Sequence, residues 1–94
     1  MELAKFGKTV SNPIRTLILS ILAQNEINTL KECFILVKKE YPSIHRETVY
    51  RSLENLFQNG LILKEYSHVK KRLVYKLKSK KLVVNLLERT AKFD

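Results

Sequence analysis

Apolar residues recur along the chain with a period that changes near residue 60. Between residues 12 and 59 they recur at steps of three and four, the spacing that places side chains on one face of an α-helix. From residue 61 to 77, two runs rich in alternating, β-branched and aromatic residues are typical of β-strands. A helical spacing returns after residue 79. The pattern predicts a mainly α fold with a small β-hairpin, in the order α-α-α-β-β-α, within a single domain over residues 1–94.

The first predicted helix begins at Asn12-Pro13, where a capping side chain precedes a proline at the first helical position. Its apolar stripe consists of Ile14, Leu17, Ile18, Ile21 and Leu22, and we expect the helix to end near Gln24. Residues 1–10 show no clear period, and we interpret them as a loosely held arm. Residues 26–28 are a short link, predicted to form a single extended segment.

A capping box predicts the start of the second helix. Thr29 and Glu32 have the spacing at which a hydroxyl and a carboxylate each satisfy the other residue's backbone donor. The expected buried positions are Leu30, Cys33, Phe34, Val37 and Tyr41. We expect the helix to stop at Pro42, which cannot continue it.

The third predicted helix spans His45–Asn59. Its expected buried stripe is Val49, Leu53, Leu56 and Phe57. Gly60 follows where helices commonly end in a left-handed conformation that glycine adopts cheaply. Three short helices with tight links, over residues 12–60, predict a helix-turn-helix unit.

A hairpin is predicted over residues 61–78, from runs at residues 61–66 and 72–77. The segment between them, 67–71, contains no glycine, so we expect a loop longer than two residues.

Ser79 is a candidate cap for a last helix over residues 79–94. One face of this helix is apolar, and its members are Leu82, Val83, Leu86, Leu87, Thr90 and Phe93. That face has two interpretations: it covers the first helix of its own domain, or it crosses a two-fold axis. We favour the second, which predicts a homodimer through Leu82, Val83, Leu86, Leu87 and Thr90.

The charge is concentrated in one segment of the chain. The net charge is +9, from 18 basic and 9 acidic residues. Residues 61–78 carry six basic side chains and one acidic one, a net charge of +5, whereas residues 43–60 carry two of each. A basic excess localised on the hairpin favours a polyanionic partner.

Several classes of protein are disfavoured by the sequence. No run approaches the roughly 20 apolar residues that cross a bilayer, and the N-terminus lacks the pattern of a signal peptide. Cys33 has no partner for an internal disulfide, and its position on a buried face is typical of a small apolar filler. His45 and His68 have no recognisable spacing from a nucleophile or a second metal ligand. We therefore predict a cytoplasmic protein with no catalytic residues, metal, cofactor or small-molecule ligand.

Particular residues carry a resemblance to known regulators. Thr48-Val49-Tyr50-Arg51, followed by Leu53, Leu56 and Gly60-Leu61-Ile62, resembles the third helix and first wing strand of the PadR and MarR families, and is similar to the DNA-binding domain of ferric-uptake-type regulators. Residues 12–19 are similar to the first helix of ArsR-type repressors. In size the chain is also similar to the small winged-helix proteins of crenarchaeal viruses and their hosts. The resemblance covers residues 12–78 and implies a winged helix-turn-helix fold.

Two departures from these families limit what the resemblance implies. The chain is expected to lack the C-terminal metal and dimerisation domain of ferric-uptake regulators. It also lacks the paired-cysteine motif of metal-sensing ArsR repressors, so metal sensing is not expected.

The resemblance implies that the third helix enters the major groove of DNA. At about 100° per residue, the buried stripe turns Thr48, Arg51 and Asn55 outward, with Glu47 beside them. Arg51 is a candidate for guanine, Asn55 for adenine, and Thr48 for a thymine methyl or a phosphate. The alternatives are a surface ion pair between Glu47 and Arg51 and, for Asn55, a solvated helix face. Tyr50 lies at the edge of the buried sector, where packing and phosphate contact are equally expected.

Phosphate contacts are expected at two further places. His45 and Arg46 open the third helix, where backbone N–H groups and the helix dipole favour an anion, although His45 is equally consistent with an exposed residue near the cap. Lys70, Lys71 and Arg72 lie at the hairpin tip, which follows the backbone or enters the minor groove in winged-helix proteins. The alternative for the tip is lysine that protects a sheet edge.

The leading hypothesis is a sequence-specific transcriptional regulator of double-stranded DNA, acting as a repressor by occupancy. Two alternatives remain open: an architectural DNA-binding protein with little sequence preference, and a winged helix used for protein contact.

Overall fold

The computed structural model describes residues 12–25, 28–79 and Lys81. The elements are α1 (Pro13–Gln24), β1 (Asn28–Thr29), α2 (Leu30–Glu40), α3 (Arg46–Gln58), β2 (Ile62–Ser67) and β3 (Arg72–Leu77). The strands form an antiparallel sheet in the order β1-β3-β2. This arrangement is a winged helix-turn-helix, as the sequence predicts. No described helix is long and apolar enough to cross a membrane.

Helix α1 begins where the sequence predicts. The Asn12 side chain accepts hydrogen bonds from the backbone N–H groups of Ile14 and Arg15, at 3.0 and 3.2 Å. Pro13 occupies the first helical position, where a backbone N–H would have no acceptor within the helix, so its absence in proline costs no hydrogen bond. The prediction that α1 ends near Gln24 is confirmed.

The start of α2 belongs to the sheet as well as to the helix. Glu32 N donates to Thr29 Oγ1 at 3.2 Å and Thr29 N donates to Glu32 Oε1 at 2.9 Å, which confirms the capping box. Thr29 also lies in β1 opposite Val74 of β3. Asn28, the one described residue of the extended segment predicted at residues 26–28, therefore lies in an edge strand, and the pairing of this strand joins α2 to the hairpin.

Two aromatic residues predicted to be buried are not. Tyr41 follows the last residue of α2 and is 37% exposed, so the prediction that it belongs to the buried stripe is wrong. Phe57 is equally exposed, because it lies at the edge of the stripe, and the Lys64 ammonium lies 4.7 Å from the centroid of its ring. Ser52, which the stripe omits, is buried and donates to the Thr48 carbonyl.

One apolar core joins the helices and the hairpin. Helix α3 contributes Val49, Leu53 and Leu56, all fully buried, and packs against α1, α2 and β2. The core members of the other elements are Ile18, Leu19, Ile21, Leu22, Cys33, Val37, Leu61, Ile62 and Tyr75. Leu19 lies outside the predicted stripe; it is buried because α1 contacts α2, α3 and β3 together.

The hairpin has the longer loop that the sequence predicts. Strands β2 and β3 pair from Ile62 opposite Leu77 to Ser67 opposite Arg72, which leaves four residues in the turn. Lys70 N donates to Ser67 Oγ at 3.1 Å, and Lys71 adopts a positive φ of 54°. A lysine in the left-handed region takes the place that glycine fills in tighter hairpins.

Gly60 provides a direct test of the junction between α3 and β2. Its φ is +75°, and a Cβ placed on it would meet no atom within 4 Å. We expect Gly60→Ala to lower the free energy of unfolding by roughly 1–2 kcal/mol, because the cost is backbone strain alone. Urea denaturation followed by circular dichroism measures this, with Gly60→Asn as the control that tolerates the conformation better. Equal stability of Gly60→Ala and the wild type would contradict the assignment.

Two predicted segments fall outside the described residues. These are the arm at residues 1–10 and the apolar face of the last helix, with its dimer residues Leu82, Val83, Leu86, Leu87 and Thr90.

Candidate nucleic-acid interface

The outer face of α3 presents a charged pair to solvent. Arg51 Nη2 donates to Glu47 Oε1 at 2.8 Å, and the two side chains are 75% and 70% exposed. Thr48 is also exposed on this helix. The predicted outward orientation of Thr48 and Arg51 is thus observed, together with the surface ion pair that was its alternative. A pair this exposed stabilises the helix by only a few tenths of a kcal/mol, which leaves Arg51 able to exchange partners.

Asn55 differs from the residues before it on α3. It is half-buried, and its side-chain oxygen accepts from Asn59 Nδ2 at 3.2 Å, while Asn59 Nδ2 also donates to the Asn55 carbonyl at 2.8 Å. One of the two lone pairs that a base amino group could use is therefore already engaged. Among the candidates for base contact, the geometry favours Arg51 over Asn55.

The start of α3 lies open to solvent. His45 and Arg46 are exposed, and the His45 side chain makes no capping hydrogen bond. A helix start that is exposed in this way is accessible to an anion.

A cleft brings the start of α3 together with α2 and the wing, which is the hairpin over residues 61–78. The cavity measures about 350 Å³, and its lining residues are Thr29, Leu30, Lys31, Arg46, Tyr50, Arg72, Leu73 and Tyr75. Arg46 and Arg72, predicted separately as phosphate contacts, border the same space. Tyr50 also lines the cleft. The residue is 44% exposed, so its side chain is only partly packed against the protein.

Lys31 is the residue that sequence reasoning missed. It lies in the first turn of α2, a helix assigned to packing, and reaches the cleft because β1 pairs with β3. The one available signal is its position two residues after the cap Thr29, at a helix start. Which surface that helix start faces depends on the pairing of a strand of two residues.

The wing carries less free charge than its composition suggests. Lys70 Nζ lies 2.8 and 3.1 Å from the two carboxylate oxygens of Glu32. Lys64 pairs with Glu54 at 2.9 Å and Lys76 with Glu65 at 3.0 Å. Within the described ranges, the wing cations with no acidic partner at ion-pair distance are Lys71, Arg72 and Lys78. The tip therefore offers Lys71 and Arg72, whereas Lys70 is held against α2.

Cys33 and Tyr75 lie in the core behind this surface. Burial raises the pKa of the Cys33 thiol to about 12, and the nearby Glu32 carboxylate adds to the shift. Burial also raises the pKa of the Tyr75 phenol to about 12, with a further contribution from Glu54. Over the described part of the chain, no three His, Cys, Asp or Glu side chains are grouped so as to hold a metal ion.

These two raised pKa values predict alkaline destabilisation. The folded state favours the neutral thiol and phenol, so their contribution to stability is complete below about pH 9 and is lost as the pH rises toward 12. Each pKa unit of difference corresponds to about 1.4 kcal/mol. Urea denaturation between pH 7 and 11 measures the decline. In Cys33→Ala, the loss of stability that begins near pH 9 should disappear. The same decline in Cys33→Ala and in the wild type would contradict the assignment of that loss to Cys33.

A family model matches most of the chain. It describes the ferric uptake regulator family and covers residues 8–91. No curated protein matched the sequence in the comparison.

Several solved structures share the fold of this chain. A peroxide stress regulator from Campylobacter jejuni is 33% identical with a TM-score of 0.67; the match covers 84% of this chain and 60% of that protein. NolR from Sinorhizobium fredii is 20% identical with a TM-score of 0.75, over 96% of this chain and 81% of that one.

A third structure is described as a homodimeric winged helix-turn-helix DNA-binding domain from Mycobacterium bovis, a possible ArsR-family transcriptional regulator. It is 21% identical, has a TM-score of 0.74, and covers 97% of this chain and 76% of its own.

Proposed function

Because the chain belongs to the ferric uptake regulator family, we propose that it regulates transcription by binding double-stranded DNA through α3 and the wing. The observation that carries the proposal is the cleft, where Lys31, Arg46 and Arg72 come from three elements and border one space. Three cations around a cleft beside an exposed helix are complementary in charge to a sugar-phosphate backbone.

The cleft and α3 have different roles in this proposal. Lys31, Arg46 and Arg72 contact phosphates, with Lys71 at the tip and Tyr50 and His45 at the margin. These contacts supply affinity without sequence preference. Arg51 leaves Glu47 and binds a guanine edge in the major groove, and Thr48 contacts the neighbouring base or phosphate.

Assembly as a homodimer is part of the proposal. Two α3 helices then meet half-sites about 34 Å apart, one turn of DNA. The homodimeric domain from Mycobacterium bovis supports this assembly. Residues Leu82, Val83, Leu86, Leu87 and Thr90 remain the proposed contact. A dimer on its site represses by excluding polymerase.

The family name implies a metal ion, but the proposal assigns no binding site for one. Since the described residues provide no group of three suitable ligands, no step of the proposed function involves a metal ion.

Selection from random duplexes, followed by titration of the selected site at several salt concentrations, tests the proposal. We expect Lys31→Gln, Arg46→Gln and Arg72→Gln each to reduce the slope of log Kobs against log salt by about 0.9, the loss of one phosphate contact. Lys39→Gln is the matched control, since Lys39 is an exposed lysine at the far end of α2 from the cleft. An effect of Lys39→Gln as large as the others would remove the cleft from the proposal.

The same experiment separates the alternatives. Random DNA that competes as well as the selected site would favour an architectural protein. No binding at low salt would overturn DNA binding altogether and favour a role in protein contact.

A further inference from the structure

The hydrogen bonds of Glu32 place it at the junction of α2, the sheet and the wing. Its Oε1 accepts from the Thr29 backbone at 2.9 Å and from Lys70 Nζ at 2.8 Å, and its Oε2 lies 3.1 Å from the same ammonium. Thr29 is in turn paired with β3. One carboxylate therefore closes a helix cap and holds a lysine 38 residues further along the chain.

Two features make this contact more than a chance surface pair. Glu32 is already immobilised by the capping box, so little additional side-chain entropy is lost when Lys70 binds it. Lys70 is positioned by its own turn, through the hydrogen bond from its backbone N–H to Ser67 Oγ. The lysine hydrogen bond is also the largest of the causes that lower the pKa of the Glu32 carboxyl, so the carboxylate is charged at neutral pH.

The Lys70 ammonium cannot keep its ion pair with Glu32 and also bind a phosphate with the same geometry. If it turned toward DNA, it would leave the Glu32 carboxylate without a cation, beside the cleft that the preceding residue, Lys31, lines. That carboxylate would repel the phosphate backbone. Lys71 and Arg72 have no such partner among the described residues.

We propose that Glu32 is a positioning residue that holds the wing against the first turn of α2 and keeps Lys70 out of the phosphate contacts. The wing then meets DNA with two tip cations in place of three, which limits sequence-independent affinity. This inference rests on the proposed function, and it replaces the sequence-based prediction that Lys70, Lys71 and Arg72 act alike.

Glu32→Gln tests the proposal without removing the helix cap. Glutamine occupies the same position in capping boxes, so the bond to Thr29 N is retained while the charge that holds Lys70 is lost. We expect the salt slope of DNA binding to steepen by about 0.9 and the affinity to rise roughly tenfold at 0.1 M salt, as one new phosphate contact would give. The gain should be equal on selected and random DNA, because phosphate contacts carry no sequence information.

Four further variants assign the effect to Lys70. Glu40→Gln removes a negative charge from the other end of α2 and controls for a general change in net charge. In the wild-type background, Lys70→Gln should change the slope much less than Lys71→Gln, which should reduce it by about 0.9. Adding Lys70→Gln to Glu32→Gln should return the slope to the wild-type value.

Two results would overturn the proposal while leaving the proposed function intact. One is an equal loss of slope in Lys70→Gln and Lys71→Gln, which would place Lys70 on a phosphate already. The other is a slope in Glu32→Gln no different from that in Glu40→Gln. Failure of the wild-type protein to bind DNA would instead remove both proposals.

Discussion

Arg51→Ala is expected to abolish most of the preference for the selected site at one base pair while leaving the protein folded. The Arg51 side chain is 75% exposed on the outer face of α3, and its partner Glu47 is itself solvent-exposed. The loss of a bidentate contact to guanine is worth about 1–3 kcal/mol of discrimination, or roughly 5- to 150-fold. Loss of the exposed ion pair with Glu47 changes the free energy of unfolding by only a few tenths of a kcal/mol.

The measurement compares dissociation constants for the selected site and for duplexes with each base pair changed in turn. In Arg51→Ala the penalty at one position should vanish, while penalties at the other positions persist. Glu47→Gln is the companion variant, because it frees Arg51 without removing it and should preserve the preference. A uniform loss on every duplex would instead make Arg51 a phosphate contact. If Arg51→Ala lost no affinity for any duplex, the role of Arg51 would be limited to its surface ion pair with Glu47.

Leu53→Ala is expected to be the most destabilising of the substitutions considered. Leu53 is fully buried in the stripe of α3, the helix that packs against α1, α2 and β2. Removing its three outer carbon atoms loses their transfer free energy and leaves a cavity between rigid neighbours. The expected loss is about 3 kcal/mol, within the range of about 2–5 kcal/mol for such changes. In a domain this small, that is a large share of the total stability.

Urea denaturation followed by circular dichroism measures the loss, with Phe57→Ala as the matched control on the same helix. Phe57 is larger but 37% exposed, so its truncation should cost roughly 1 kcal/mol. A larger loss in Phe57→Ala than in Leu53→Ala would show that the third helix packs through a different face.

The local features of the fold were predictable because they depend on residues close in sequence. Asn12 caps the helix that begins one residue later, and Thr29 with Glu32 closes a cap within a single turn. Gly60 adopts the left-handed conformation that its position after α3 required. The outward orientation of Thr48 and Arg51 followed from helical geometry once Val49 and Leu53 were assigned to the core.

The periodicity failed where burial depends on a neighbouring element. Tyr41 and Phe57 continue the apolar pattern of their helices, yet both are exposed. A helical stripe gives the direction of a side chain but not how far the partner surface extends to cover it.

The order of the elements, their caps and the direction of each helix face could all be predicted from residues that are close in sequence. Which charges act together could not, because it depends on contacts between residues far apart in the chain. Strand β1 has two residues, too few to predict a partner, yet its pairing with β3 brings Lys31 beside Arg46 and Arg72 and Lys70 onto Glu32. Charge can be counted along a chain, but whether a cation is free for a phosphate depends on which acid lies within reach of it in three dimensions.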